Sequence, residues 1–558
     1  MRSRIHEYLI QKINYMSKKY FFLFFLCLFL GSLNPAKSSP KYDAGDLAKL
    51  ALAKQKLYGE LYTEALNLYK EVLVKNPNDA PVLHYVGVCY FYLHQPDKAK
   101  EHLQKAKETN TNVMKETYYF LGRLLLAEGK FDEALADLND YKTKATAKEQ
   151  KDVDTDVEVF IGQCNAGKTL MASPHDVKIE NMGPDINSKY ADKTPCISAD
   201  GSKLVFTTRR PETTDAPLDV NGDGGYYEDI YISTYDAANK KWNPAEQVPG
   251  SVNTKAHDAC VSISPDGKQI YIYKNDENDE KSRGGDIFVS KIVNGKWRTP
   301  ETMGKPVNSS FWEGGACISP DGKTVFFTSE REKGFGKSDI WMVKKLTKTE
   351  WGKPENLGAE VNSSQDEVGV FLAPDGKTLF FSSNGPNSMG SYDIFKTVNE
   401  NGKWTAPVNV GYPINSIYSD GPFVLDASAT TGYFASNRPD GIGESDIYKV
   451  DLKDYAILEK DGKRKENNSM SIMKGTVRDG YEGYGIADAE LDFADEAGNK
   501  VANTNTNENG EYFITLKGGA KYTVTIKKKG FKDLSETFAL QMGGREAYSM
   551  DKEFLLKK

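Results

Sequence analysis

Histidine is scarce in this 558-residue chain, and only two of its six copies, His175 and His257, lie beyond the first 105 residues. A histidine-based catalytic triad or a zinc centre therefore has almost nothing to build on. No G-x-S-x-G nucleophile turn occurs anywhere, which removes the usual strand-to-helix elbow of serine hydrolases. Cysteine is sparse as well. Cys89, Cys164, Cys196, Cys260 and Cys317 follow Cys27 at spacings that fit neither a metal site nor a disulfide framework. Cys196 and Cys317 each stand four residues before a turn aspartate, where a small apolar side chain packs, so buried free thiols are expected. A net charge of −7 gives no reason to expect nucleic acid or anionic lipid as a partner. On these absences the chain is expected not to be an enzyme.

Long apolar runs are absent too, apart from Tyr20 to Leu33. Lys18 and Lys19 precede that run and small residues follow it to Ser38. A basic start, a short apolar stretch and small residues form a secretory signal peptide over residues 1–38, too short for a comfortable membrane span. Translation from Met1 or from Met16 fits equally well. Cys27 has no small residues before it and is not read as a lipidated cysteine. The mature chain is expected to be exported, with no transmembrane span.

What is present is repetition. Between residues 177 and 452 a unit is written five times, each copy opening on an Ile/Val-Asn-Ser/Thr tripeptide at Ile186, Val252, Val307, Val361 and Ile414. Each closes on Asp-Ile at Asp229, Asp286, Asp339, Asp393 and Asp446, 53–57 residues apart. Between them lie hydrophobic strands and Asp-Gly turns at Asp200, Asp266, Asp321 and Asp375, a strong hairpin signal because glycine accepts positive φ. The fifth turn has degenerated to Asp426–Gly432. Four short strands per copy at a fixed period predict a closed circular array, a β-propeller. Trp242, Trp297, Trp351 and Trp404 recur at the same period and are expected to pack between blades, and the aspartate of each Asp-Ile to satisfy a local turn. The S-P-D-G-K and D-I-Y/F signatures resemble the PD40 repeats of TolB-like, WD40-like propellers. Six blades are commoner in that family than the five counted here, so both numbers stay open.

Residues 44–172 change to a helical period. Ala65 with Tyr69, Ala99 with Leu103 and Ala134 with Leu138 recur at 34–35-residue spacing, with Ala53, Gly87 and Gly122 twelve residues earlier in each case. The pattern resembles three tetratricopeptide (TPR) repeats, in which small residues let paired helices approach closely. A further helix with Phe160, Ile161 and Gly162 is expected to cap the stack. The resemblance implies a groove for peptides or protein segments. The tyrosines at 58, 62, 85, 90, 92, 118 and 119 are read mostly as packing.

A charged linker is read at residues 453–470. Over residues 471–558, short alternating strands between turns predict a small β-sandwich. It resembles the carboxypeptidase regulatory-like domain, a non-catalytic module.

One copy of the repeat carries an insertion, Asp219-Val-Asn221-Gly-Asp223-Gly-Gly-Tyr-Tyr-Glu228. Oxygen ligands at alternating positions with glycine at the sixth form the first half of a calcium loop. Ile230 stands where the twelfth-position glutamate belongs, so a Ca²⁺ site at Asp219, Asn221, Asp223 and Glu228 is weighed against a polar surface loop.

The domain order resembles a group of periplasmic proteins of Bacteroidota, among them the peptidoglycan-associated component of the type IX secretion system. In that group an OmpA-like domain follows, which this sequence does not contain, so peptidoglycan binding is not carried over. The resemblance implies a periplasmic scaffold associated with the outer membrane and linked to secretion or gliding. Envelope or secretion-machinery proteins would dock in the TPR groove and on the propeller face. The competing expectation is a propeller that binds a glycan or small ligand in its central funnel.

Overall fold

The computed structural model describes residues 41–558 except 111–112, 151–155, 214, 220–223, 276–283, 294, 348–349, 460–461, 463–469 and 544–546. The signal segment lies outside the described residues. Among those described, eight helices come first: α1 (Ala44–Tyr58), α2 (Tyr62–Lys75), α3 (Ala80–Tyr92), α4 (Pro96–Thr109), α5 (Glu116–Ala127), α6 (Phe131–Lys144), α7 (Ala147–Gln150) and α8 (Val157–Met171). None is long and apolar enough to cross a membrane. The chain divides into a mainly helical unit and a strand-rich unit, and α8 from Glu158 onward belongs to the second. α8 packs against the first residue of α6, a Cβ on Gly167 standing 2.4 Å from Phe131 Cζ.

In the helical unit the small residues are where helices cross. A Cβ on Gly87 would stand 2.5 Å from Leu103 Cγ, and one on Gly122 would stand 2.6 Å from Leu138 Cγ. Ala53, Ala65, Ala99 and Ala134 are likewise fully buried. Asp43 and Asp79 accept the N–H groups of Asp46 and Val82, capping α1 and α3. Gly87→Ala is therefore expected to lower stability by about 1–3 kcal/mol through overpacking. A fall in the thermal midpoint of the far-ultraviolet helix signal measures it; an unchanged midpoint would show that Leu103 can move aside.

The strand-rich unit begins with five successive antiparallel sheets. The first four contain strands 192–197, 203–208, 229–236 and 241–242; then 258–263, 269–274, 286–293 and 296–297; then 313–318, 324–329, 339–344 and 355–356; then 367–372, 378–383, 393–400 and 403–404. The fifth contains 420–425, 431–436 and 446–451, and its fourth strand is 178–181, which precedes the first sheet in the chain. Each sheet's first strand packs against the first strand of the next, and that of the fifth returns to that of the first.

The repeated motifs explain this arrangement. Asn187, Asn253, Asn308, Asn362 and Asn415, the centres of the tripeptides, face the isoleucines of the Asp-Ile pairs at Ile447, Ile230, Ile287, Ile340 and Ile394. Each asparagine accepts that isoleucine's N–H at 2.8–3.0 Å. It returns a hydrogen bond to the same residue's carbonyl at 2.8–3.1 Å. Each copy is thus fastened to the one before it, and Asn187 fastens the first to the last. Asp339, Asp393 and Asp446 accept the N–H groups of residues three and four positions upstream, the local turn expected of them. At the turns, Gly201, Gly267, Gly322 and Gly376 have φ of 67–70°.

The tryptophans reach to the preceding sheet. Trp242 meets Tyr433 of the fifth sheet edge-on, and Trp404 meets Phe326 of the third. Trp297 joins Cys196 and Val205 of the first, and Trp351 joins Tyr271 of the second. Ile457, one repeat length after Trp404, packs with Phe380 of the fourth sheet. Lys396 Nζ donates to the carbonyls of Ile457 and Glu459. Residues 453–459 are therefore packed structure where the composition reads as a linker; the two apolar residues Ala456 and Ile457 outweigh the charged ones around them.

The C-terminal strands form two facing sheets. One orders 511–517, 470–479 and 549–556; the other orders 500–505, 490–494, 520–527 and 534–540. Phe493, Val524, Ile526, Ile514 and Phe554 form their core. This sandwich sits on the turns of the five sheets. Thr515 Oγ1 donates to the Pro374 carbonyl at 2.8 Å, Lys268 pairs with Glu511 at 2.8 Å, and Ile472 packs on Ala199 and Ala427.

Candidate protein-interaction site

The helical unit carries an aromatic surface shared by several helices. Tyr62 of α2 stacks on Tyr92 of α3 at 4.8 Å between ring centres. Phe91 and Tyr92 meet Phe120 of α5 edge-on. The Arg123 guanidinium lies 4.8 Å from the Phe91 ring and 5.5 Å from the Tyr119 ring. Most tyrosines singled out in the sequence are packing: Tyr90, Tyr118 and Tyr119 are buried, and Tyr69 stacks on Tyr85. Tyr58 and Tyr92 are the exceptions, 67% and 41% exposed. Aromatic rings held by their neighbours, with a cation among them, offer large contact area at small entropic cost to a docked segment. His84 is no part of such chemistry. Burial pushes its pKa down to about 3, so it is neutral, and its Nδ1 lies 2.9 Å from Thr117 Oγ1.

The calcium-loop residues are only partly described. Asn221 and Asp223 lie outside the described residues, and Asp219 closes a turn through its backbone with Gly224 and Gly225. Glu228 has other partners: Lys193 Nζ at 2.7 Å, Arg209 Nε at 3.5 Å and His257 Nδ1 at 3.6 Å. Although burial raises its pKa, hydrogen bonding from His257 and the charge of Lys193 hold its carboxyl well below the usual range. A metal would have to displace those partners. Among the described residues no group of three or more His, Cys, Asp or Glu is placed to hold a metal ion.

Sequence reasoning missed a buried carboxylate at the start of each sheet's first strand: Asp192, Asp258, Glu313, Glu367 and Asp420. Each accepts the hydroxyl of the tripeptide Ser or Thr four residues earlier. Four also pair with a cation: Arg210 at 2.7 Å, Lys274 at 2.6 Å, Arg331 at 3.2 Å and Arg438 at 3.0 Å. In the fourth copy Gly385 stands where the arginine belongs. There Gln163 of α8 donates to the Asn384 carbonyl at 2.9 Å, and a Cβ on Gly162 would stand 2.7 Å from Pro386. The signal was an arginine two residues beyond the second strand of three copies.

Two cavities bear on ligand binding. The one enclosed by the five first strands, lined by Cys196, Ile263, Cys317, Leu372 and Val424 and reaching Thr515, has a volume of about 30 Å³. That is room for one or two waters. A wide cleft of about 1600 Å³ lies between the third and fourth sheets and the sandwich, with Phe326, Met342, Trp404 and Tyr522 on its walls.

Comparison with known proteins gives two family matches. The carboxypeptidase regulatory-like domain matches residues 472–551, and a family described as anaphase-promoting complex, cyclosome, subunit 3 matches residues 59–141. BBSome complex member BBS4 of Bos taurus is 38% identical over 71 residues, 13% of this chain and 13% of that protein. Its counterpart in Mus musculus is 37% identical over 84 residues, 15% and 14%. The chain thus spans about a seventh of the length of the curated relatives it matches. Among solved structures, the Yersinia enterocolitica type III secretion chaperone SycD in complex with a peptide of the translocator YopD is 18% identical. The match covers 23% of this chain and 99% of that one at a TM-score of 0.21. The TPR2B domain of yeast Sti1 in its pHsp70 complex is 17% identical, covering 22% and 98% at 0.20. The chain combines a TPR-like helical region, a strand-rich region of curled sheets and a carboxypeptidase regulatory-like domain.

Proposed function

We propose that this protein is a non-enzymatic scaffold of the bacterial envelope, exported to the periplasm and associated with the outer membrane. Its helical unit holds a partner protein, and its five sheets form a five-bladed β-propeller closed by strand 178–181. The return of the fifth sheet to the first and the asparagine links between successive copies support that architecture. The observation that carries the function is the aromatic group around exposed Tyr92, where Phe91 lies between Tyr92 and Arg123, on a TPR-like fold. Export rests on the N-terminal sequence, and the link to type IX secretion or gliding rests on the order of domains. A sugar ring in the cavity on the sandwich side of the ring is disfavoured, because about 30 Å³ does not admit one.

The test is capture of the tagged full-length protein from crosslinked envelopes of the native organism, with partners identified by mass spectrometry. Outer-membrane or secretion proteins are expected, and a Tyr92→Ala/Arg123→Ala variant that melts like the parent should recover them about tenfold less. Retention on peptidoglycan or other glycan with no protein partner would sink the reading.

A further inference from the structure

The sulfurs of Cys196 and Cys260 lie 3.4 Å apart. They come from the first strands of the first and second sheets, 64 residues apart in the chain. Both side chains are buried in one apolar cluster with Val205, Ile230, Val252, Ile270 and Trp297. The two strands are held in place around them. The Cys260 N–H donates to Thr207 Oγ1 of the first sheet at 2.9 Å, and the Thr207 hydroxyl returns a hydrogen bond to the Cys260 carbonyl at 3.4 Å. The Cys196 thiol has the Thr194 carbonyl at 3.4 Å. Cys317, at the same repeat position as Cys196, belongs to a different cluster with Phe326 and Ile340. A disulfide needs its sulfurs at about 2.05 Å. Here rotation of two side chains on strands already fixed side by side has only the last ångström or so to close.

We infer that Cys196 and Cys260 are a modification site, joined as a disulfide that bolts the first sheet to the second. This rests on the reading that the chain is exported, since persistent disulfides belong to oxidising compartments. The two thiols give up two protons and two electrons, a sulfur–sulfur bond forms, and an oxidised disulfide of a carrier protein or of glutathione is reduced to two thiols. Burial raises the Cys260 pKa well above its ordinary value, so Cys260 presents no reactive thiolate in the folded protein. The bond therefore forms while the first two sheets are still open, and once formed it is shielded from reductant.

The experiment refolds the full-length chain from denaturant either in mixed oxidised and reduced glutathione or in excess dithiothreitol. Thiols are then blocked under denaturing conditions and peptides are mapped by mass spectrometry. The expected result is a linked peptide pair containing Cys196 and Cys260 in the glutathione sample only. It persists in Cys317→Ala, is absent in Cys196→Ala, and survives mild reductant until the protein is unfolded. Individual blocking of both thiols after refolding in glutathione, or pairing of either with another cysteine, would overturn the inference. Extracts of the native organism separate the two readings. A pair that forms on refolding but is reduced in cells would leave the site standing and remove the export reading.

Discussion

Arg331→Met is expected to destabilise the strand-rich unit by about 3–5 kcal/mol, because it strands a buried carboxylate without its cation. Glu313 is fully buried, and its remaining partners are Ser309 and Ser329, whose hydroxyls reach it at 2.6 and 2.7 Å. The guanidinium has several partners at once, the Val307 carbonyl and the Ser329 hydroxyl among them. It pairs with Glu313 at 3.2 Å, donates to the Pro306 carbonyl at 3.2 Å, and lies over Phe327 with 4.6 Å to the ring centre. Methionine keeps much of the packing over Phe327 and Trp341 and removes the charge, so the loss reports the ion pair more than the contact area. Urea unfolding followed by tryptophan fluorescence measures it. Glu313→Gln in the same chain should restore most of the loss, since a neutral amide at that place has nothing to neutralise. A loss under about 1 kcal/mol, or no recovery in the double variant, would show that water rather than Arg331 satisfies the carboxylate. Arg210 with Asp192 and Arg438 with Asp420 have the same geometry and should respond alike.

How much of this could be read from the sequence follows from where each partner lies. The turns were legible because Asp-Gly acts within four residues. The TPR-like helices were legible because Gly87 and Gly122 recur at a fixed distance from the residues they admit. The asparagine links were not. The tripeptide and the Asp-Ile pair were both visible, yet each asparagine's partner lies 21–23 residues upstream in the preceding copy, and Asn187's lies 260 downstream. Periodicity shows that motifs recur and is silent on which copy holds which. Strand 178–181, Lys-Ile-Glu-Asn, has no pattern of its own and takes its identity from pairing with 448–451. The buried acids were hidden by variation in chemistry, aspartate in three copies and glutamate in two, with Lys274 supplying from within a strand the charge that arginines elsewhere supply from beyond one. At the insertion the oxygen spacing was legible. The groups that claim Glu228 come from residues 193, 209 and 257, which only the fold brings together.

The fourth copy, lacking the arginine, should respond to pH in the opposite sense to a paired carboxylate. Glu367 is buried, and burial, with the nearby charge of Asp339, pushes its pKa up to about 7 from an ordinary 4.5; hydrogen bonds from Ser363 and Ser383 offset part of the rise. A carboxyl whose pKa is raised by folding binds its proton more tightly in the native state. Its contribution is therefore whole below the ordinary value of 4.5, falls as pH rises through about 7, and is constant above. At about 1.4 kcal/mol per pH unit, the full change is about 3 kcal/mol. Glu367→Gln mimics the protonated form. It should match the parent near pH 4.5 and exceed it by about 3 kcal/mol at pH 8.5. Asp393 in the same sheet, also raised to about 7 by burial, titrates in both proteins and cancels from the difference. Urea unfolding of parent and variant at a series of pH values gives the curve. The same difference at every pH would mean that Glu367 keeps an ordinary acidity, with a cation or water in the arginine's place. A difference that grows through neutral pH would show that giving up Arg for Gly385, where Gln163 and Gly162 of α8 now sit, left an uncompensated acid in the fourth sheet. Hydrogen-exchange protection of residues 384–390, taken relative to the intrinsic rate at each pH, should then fall above pH 7 in the parent and not in the variant, since an ionised Glu367 draws water toward the segment that carries the α8 contact.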